Sequence, residues 1–345
     1  MYNYQLDGLN MEVTTKCPLH CPQCYCSLES GKDIPLHIAT RIIEESAAEG
    51  LTHIEFSGGE TLCYPHLIKL ISIANQYGIE TSISISGWGF NAAQLNKLIE
   101  AGIDTIYVSL NGPSEQDNRE TRDGYDLAIH ALEVLKQNHF PNIVINWVMH
   151  RNNADTLPNM IALGREYDVS AILIIEPKPS FKRNLLLYPT KNQLTQTAII
   201  AKHHSGQPEL WIHHCFSPLL ALCSDNKLWG NSNRGIYKGC SAGLASISVN
   251  VEGKFIPCRH LPYPEDSESL HTYWKESVIL NSIRSLVFQY RSGLCEACRF
   301  SRYCRPCLSH NEDIQHLKAE PKECPVREIA VDISPYADKH LRRIE

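Results

Sequence analysis

From residue 9 to residue 176 the chain alternates short Ile- and Val-rich segments with longer amphipathic ones, and this alternation restricts the fold more than any other feature. The strand candidates are LNMEVT at 9–14, THIEFS at 52–57, ETSISIS at 80–86, DTIYVSL at 104–110, NIVINWVM at 142–149 and SAILII at 170–175. Between them lie helical patterns. In LHIATRIIEESAAEG, Ile38, Ile42, Ile43 and Ala47 share a face and Gly50 stops the helix. In NAAQLNKLIEAG, Asn91 and Gln94 read as a capping box, Leu95, Leu98 and Ile99 face the core, and Gly102 ends the helix. Strands that alternate with helices pair in parallel through right-handed crossovers. A full eight-fold barrel needs about 250 residues. Here the alternation fades near residue 200, which predicts a partial (β/α)6 TIM-like barrel; the pattern alone also admits an open doubly wound sheet.

Beyond that point the character changes. Residues 177–239 mix Pro, Asn, His and Trp without clear period, and residues 240–324 hold seven cysteines with little core-forming material. Such a segment needs metal to staple it. The expected organisation is a core barrel over 1–190, a linking segment over 191–239 and a small cysteine-rich iron–sulfur domain over 240–345.

Net charge is -6, so no overall basic field gathers nucleic acid or coats an anionic membrane. The first residues lack a basic n-region followed by an apolar run, and no stretch reaches about 18 apolar residues. With 14 cysteines and no export signal, a reducing, cytoplasmic setting is expected, where dense cysteine clusters bind metal more often than they form disulfides.

The densest cluster is TTKCPLHCPQCYC at 14–26, on the loop after the first strand, at the end of the barrel where such folds keep their active sites. Cys17, Cys21 and Cys24 have the spacing C-x3-C-x2-C. Four thiolates are the rule for electron-transfer clusters, so a three-cysteine loop leaves one iron of a cubane open, and an open iron implies catalysis. The competing reading is a zinc site with Cys26 as fourth ligand, although such adjacent spacings cramp a tetrahedron.

The stretch CPLHCPQC resembles the corresponding motif of radical S-adenosylmethionine (SAM) enzymes, whose fold is a partial (β/α)6 barrel. FSGGET at 56–61 is similar to that family's Gly-Gly-Glu-Pro turn, with Thr61 in place of Pro. The resemblance implies that Gly58 and Gly59 admit the ligand closely and that Glu60 accepts from the methionyl amine. Ser86, in SGWG, stands near the ribose-binding position where Asn is common. VSLNGPSEQDNRETRDGY at 108–125 resembles a Ser-Leu-Asp-Gly stretch and its downstream Arg, with Asn111 in place of Asp. Ser109, Asn111 and Arg122 are the implied SAM contacts there, Arg122 for the carboxylate. The resemblance further implies that one electron from the cluster cleaves SAM to a 5′-deoxyadenosyl radical, which abstracts hydrogen inside a lumen that excludes water.

The C-terminal cysteines run Cys240-x12-Gly253-x4-Cys258, then Cys295-x2-Cys298-x5-Cys304-x2-Cys307, then Cys324. This resembles the SPASM extension of radical SAM proteins, which implies two auxiliary [4Fe-4S] clusters. By matching position, Cys295, Cys298, Cys304 and Cys324 ligate the outer one, and Cys240, Cys258 and Cys307 the inner. The family has x3 where CRPC gives x2. The fourth inner ligand stays open: Cys215 and Cys223 lie upstream without the expected spacing, and the inner iron is alternatively open to substrate. A zinc ribbon is the competing reading of this block. Cys26 and Cys63 read as small buried hydrophobes rather than hydrogen-atom donors. None of the 16 histidines is assigned to metal.

SPASM-bearing members mostly modify peptides, so the resemblance implies a maturase that crosslinks or dehydrogenates a ribosomally made precursor peptide. It also implies an electron donor such as flavodoxin or ferredoxin. A radical SAM oxidoreductase of small molecules, a peptide epimerase and, last, a non-catalytic zinc-binding module are the alternatives. The chain begins almost directly at its first strand, so leader binding is expected from a separate peptide-recognition protein or from 177–239.

Overall fold

The computed structural model describes residues 4–26, 31–178, 188–223, 239–286 and 307–310. The six expected strands form: β1 (Gly8–Thr14), β2 (His53–Gly58), β3 (Glu80–Ile85), β4 (Thr105–Ser109), β5 (Ile143–Val148) and β6 (Ala171–Ile175). Helices α1 (Leu36–Ala48), α2 (Leu67–Gln76), α3 (Ala92–Ala101), α4 (Glu115–Arg119), α5 (Tyr125–Gln137) and α6 (Leu157–Glu166) lie between them. Further on come α7 (Lys191–His203), β7 (Glu209–Ile212), α8 (Ser217–Cys223), β8 (Ser246–Val249), β9 (Phe255–Ile256), α9 (Leu270–Glu276) and α10 (Val278–Leu286).

One sheet contains all nine strands in the order β7-β6-β5-β4-β3-β2-β1-β8-β9. Every neighbouring pair is parallel except the antiparallel β8–β9 pair. The edges β7 and β9 do not pair, so the barrel is partial and unclosed, as the alternation predicts. The strand sequence explains the curl. Side chains alternate faces along a strand. Leu9, Met11, Ile54, Phe56, Ile83, Ile106, Val108, Ile145 and Ile172 are buried on the face that carries the helices. The opposite face carries Asn10, Glu12, Glu55, Ser84, Tyr107, Ser109 and Asn146, which the helices leave clear and which line a polar lumen. A doubly wound sheet would bury both faces and would read apolar throughout.

Two local expectations are refined. Asn91 caps α3 by accepting from Gln94 N–H, without the return bond from the Gln94 side chain that the expected capping box requires, and Gly102 ends the helix at φ +90°. Ile99, expected in the core, is instead 45 % exposed. The buried stripe of α3 follows Leu95, Leu98 and Ala101, and Ile99 sits about 100° around the helix from Leu98, towards solvent.

The stretch read as aperiodic contains α7, β7 and α8. The start of α7 is a true capping box, in which Thr190 accepts from Gln193 N–H while Gln193 Oε1 accepts from Thr190 N–H. In the cysteine-rich segment, β8 pairs directly with β1, with Leu9 opposite Ile247 and Met11 opposite Val249. Cys295, Cys298, Cys304 and Cys324 lie outside the described residues. Among the described residues no disulfide forms, and no helix is long and apolar enough to cross a membrane.

Candidate active site

The loop after β1 carries Cys17, Cys21, Cys24 and Cys26, and its position is fixed by backbone. Gly59 N–H donates to Thr14 O at 2.7 Å and Glu60 N–H to Lys16 O at 2.8 Å. This contact is the reason for two glycines. A Cβ at Gly58 would lie 2.2 Å from Thr14 O, and one at Gly59 2.3 Å from Lys16 O. The turn after β2 is therefore laid directly against the chain that leads into Cys17. The same loop is held from the other side by the segment after β4: His20 N–H donates to Asp123 Oδ2 at 2.9 Å, Gln23 N–H to Thr121 O at 3.2 Å, and Asp123 N–H points at Cys21 Sγ at 3.4 Å.

The three spaced cysteines are half-buried, and Cys26 differs in its partner: its thiol donates to Gly58 O at 2.9 Å. Burial pushes the Cys17 thiol up to about 11. Cys24 is drawn down to about 6 by its hydrogen bond with the Cys26 side chain, with Arg122 adding to the effect. Three half-buried thiols spaced C-x3-C-x2-C on one loop suit a cubane with one open iron.

Glu60 is 1 % exposed and hydrogen-bonded through both carboxylate oxygens. Its carboxylate accepts from Ser86 N–H at 2.8 Å, from Ser86 Oγ–H, and from Leu62 N–H at 3.2 Å. Burial raises its pKa, although these hydrogen bonds oppose that. Ser86, at the end of β3, is thus joined to the turn after β2. Thr61 donates from Oγ1 to Ser84 O at 2.8 Å and pins the same turn. Arg122 lies close enough to both Glu60 and Cys24 to act on their charges, and its Nε is buried with no hydrogen-bond partner. An unpaired guanidinium N–H beside the cysteine loop is a ready donor to a ligand carboxylate.

The other expected contacts on β4 separate in character. Ser109 sits half-buried on the lumen face, opposite Asn146 in register. Asn111 is 1 % exposed, and its amide bonds neighbouring chain: Nδ2 donates to Thr121 Oγ1 at 2.9 Å and Oδ1 accepts from Val148 N–H at 3.2 Å. Its carbonyl accepts from Trp147 Nε1–H and Asn153 Nδ2–H. The donor half of the amide is what an Asp would lack. Ser86 thus follows β3, Ser109 ends β4, and Asn111 and Arg122 lie in the segment between β4 and α5, on either side of α4.

Sequence reasoning missed the lumen itself. Glu55 accepts from Asn10 Nδ2–H and Ser84 Oγ–H, both at 2.8 Å, and Asn146 Nδ2–H donates to Ser84 Oγ at 3.3 Å. Arg259 closes this chain, with Nη2 3.7 Å from Glu55 and Nη1–H donating to Tyr25 Oη at 3.3 Å. Burial tends to raise the Glu55 pKa, but Arg259 and the hydrogen bonds outweigh it and the net direction is down. Burial pushes the Glu12 carboxyl up to about 7 against the pull of Arg259. The signal was present in the strands: a Glu in the middle of HIEFS and of LNMEV marks a face that is not apolar.

Residues 11–164 match the Radical SAM superfamily. The PqqA peptide cyclase of Gluconobacter oxydans (strain 621H) is 27 % identical over 309 residues, covering 84 % of this chain and 82 % of that protein. Among solved structures, Streptococcus suis SuiB bound to its precursor peptide SuiA superimposes with a TM-score of 0.71 at 16 % identity, over 91 % of this chain and 75 % of that one. Native anSMEcpe with bound AdoMet gives 0.69 at 17 % identity, over 91 % and 93 %. These structures share the partial barrel.

Proposed function

We propose, from the radical SAM domain at residues 11–164, that the protein is a peptide maturase that oxidatively modifies a ribosomally made precursor. One observation carries the reading: the cysteine loop, the Gly58-Gly59-Glu60 turn and Arg122 meet at the mouth of a polar lumen. Cys17, Cys21 and Cys24 hold the [4Fe-4S] cluster. The turn and Ser86 position SAM, Arg122 takes its carboxylate, and Ser109 faces it from β4. When bound, the cluster and SAM supply a 5′-deoxyadenosyl radical that abstracts hydrogen from substrate. The protein contributes position and dryness. Glu55, Arg259 and Asn146 orient the substrate segment, and Glu12, poised near neutrality, takes up a proton.

Substrate class rests on the relatives. One is a peptide cyclase along most of its length, and SuiB was solved with a precursor peptide. The segment 240–345 carries the auxiliary clusters, with Cys240, Cys258 and Cys307 at the inner one and Cys295, Cys298, Cys304 and Cys324 at the outer. A flavodoxin or ferredoxin feeds electrons, and a reducing cytoplasm suits so many thiols.

The test is anaerobic incubation of the reconstituted protein with SAM, reductant and, as separate arms, candidate precursor peptides and small molecules. Formation of 5′-deoxyadenosine together with a peptide lighter by two hydrogens is the expected result. 5′-Deoxyadenosine that appears only with small molecules, and never with peptide, sinks the peptide reading. The Cys17, Cys21, Cys24→Ala triple variant should lose SAM cleavage and retain auxiliary iron.

A further inference from the structure

The unclosed barrel brings its two edges together at a group of thiols. Cys215 follows β7, at one edge, in the turn before α8. Cys240 precedes β8, and Cys258 follows β9, at the other. Cys307 comes in from the last described turn. Cys215 shares thiol hydrogen bonds with both Cys240 and Cys307, and Cys258 lies within electrostatic reach of Cys240 and Cys307. Cys215, Cys240 and Cys307 are 7 %, 8 % and 5 % exposed, so three thiols from three separate segments turn their sulfurs to one another out of water. The gap is bridged a second time by His214 Nε2 and Ser241 Oγ, 2.9 Å apart.

We propose that Cys215 is the fourth ligand of the inner auxiliary cluster, with Cys240, Cys258 and Cys307, so that the cluster staples the two edges of the barrel and offers no open iron to substrate. The surroundings suit an anionic cluster. Backbone N–H groups of Ala242 and Leu308 point at Cys240 Sγ, and His260 N–H points at Cys258 Sγ at 3.5 Å. Such hydrogen bonds to sulfur are how a protein holds and tunes an iron–sulfur centre. Lys178, 8 % exposed, sits within electrostatic reach of Cys307 and Cys215 while paired to Glu176 at 3.2 Å, and so supplies a buried positive charge beside the thiols. No spacing rule points to Cys215, which stands apart from Cys240 along the chain. Only the curl of the sheet brings the two together.

His213 and His214 give a rival. Their ring nitrogens and Cys215 Sγ lie within 4.8 Å of one another and could take a zinc ion instead. His213 Nδ1 accepts from Cys215 N–H at 3.2 Å, and His214 is bonded to Ser241. Each ring still has a second nitrogen, but Cys215 Sγ is turned to the thiols of Cys240 and Cys307, so a zinc ion at the histidines would have to draw it away from them.

The inference rests on the auxiliary-cluster reading above, and the test separates the two. In the full chain with Cys17, Cys21 and Cys24 all changed to Ala, reconstituted iron reports the auxiliary sites alone. Adding Cys215→Ser, which keeps the volume, should remove about one cubane of iron or leave one with an altered EPR spectrum that shifts when a small exogenous thiol is added. Cys223→Ala in the same background should keep full iron and the parental spectrum. Iron and spectrum unchanged by Cys215→Ser overturn the ligand assignment alone, as does loss of the centre on Cys223→Ala. A background that binds no iron, or binds zinc that His214→Ala removes, overturns the cluster reading as well.

Discussion

Arg259 Nη1 donates to Tyr25 Oη at 3.3 Å, and its Cζ lies 5.4 Å from the centre of the Tyr25 ring. Tyr25 follows Cys24 on the loop of the first cysteine group, and Arg259 follows Cys258 of the second. One side chain therefore joins the two, and through Glu55 it reaches the lumen between them.

Removing the guanidinium strands a carboxylate. In Arg259→Met, Glu55 loses its ion partner while keeping its burial. Stranding one member of a buried pair costs about 3–5 kcal/mol; here the side chains keep 24 % and 22 % of their surface, so the lower end of that range applies. Anaerobic urea unfolding should show a loss of about 3 kcal/mol, most of it restored by adding Glu55→Gln. An unchanged midpoint in Arg259→Met would mean that water already satisfies Glu55.

Glu12 gives a pH dependence with a definite sign. Its pKa rises from 4.5 to about 7, chiefly by burial. The folded state then holds a proton that the unfolded state has released between those two values, so stability falls as pH rises through that window. Above pH 7 the deficit is about 3 kcal/mol, from a shift of about 2.5 units at 1.36 kcal/mol per unit. Glu12→Gln carries no such penalty. It should match the parent near pH 5 and exceed it near pH 8 in thermal unfolding midpoint. A constant difference across that range would place the Glu12 pKa near its ordinary value.

How much of this was legible in the sequence follows from the range of each signal. Strand period and helix caps are local, and β1 to β6 stand where the pattern put them. The choice between barrel and doubly wound sheet was legible too, in residues not weighed for it: ETSISI alternates polar and apolar, and a strand covered by helices on both faces would not. The cysteine loop, Gly58 and Glu60 stood out because their spacing is local. The short β7, β8 and β9 lack enough residues to show a period. Arg259 and Cys215 were not legible. Their partners lie across the sheet, and only closure of the fold brings Tyr25 to Arg259 or Cys215 to Cys240.

The glycine turn predicts a strict substitution limit. In Gly59→Ala the new methyl meets Lys16 O, a backbone atom that moves only by shifting the cysteine loop. Overpacking of this kind costs about 1–3 kcal/mol and displaces the three thiols from their common geometry. Reconstituted iron should fall by about one cubane, on the four-iron count of such a cluster, while auxiliary iron persists. Normal iron and SAM cleavage in Gly59→Ala would show that the loop adapts.

Glu60 and Arg122 should separate binding from folding. Both are read as SAM contacts, yet the protein already uses them differently. Glu60 accepts from Ser86 N–H, Ser86 Oγ–H and Leu62 N–H, so Glu60→Ala strands three donors at the end of β3 and in the turn after β2. Arg122 Nε has no hydrogen-bond partner, so Arg122→Ala strands no donor or acceptor and removes only a positive charge near Glu60 and Cys24. Each loses one charge-assisted contact to SAM, worth about 1.5–3 kcal/mol, or roughly ten- to a hundredfold in affinity. Arg122→Ala should show that affinity loss with an unchanged unfolding midpoint. Glu60→Ala should lose affinity and stability together, and Glu60→Gln should recover part of the stability without the affinity. Equal destabilisation in the Arg122 and Glu60 variants would mean that Arg122 is a structural partner of Glu60, and SAM affinity unchanged in Arg122→Ala would place the carboxylate elsewhere.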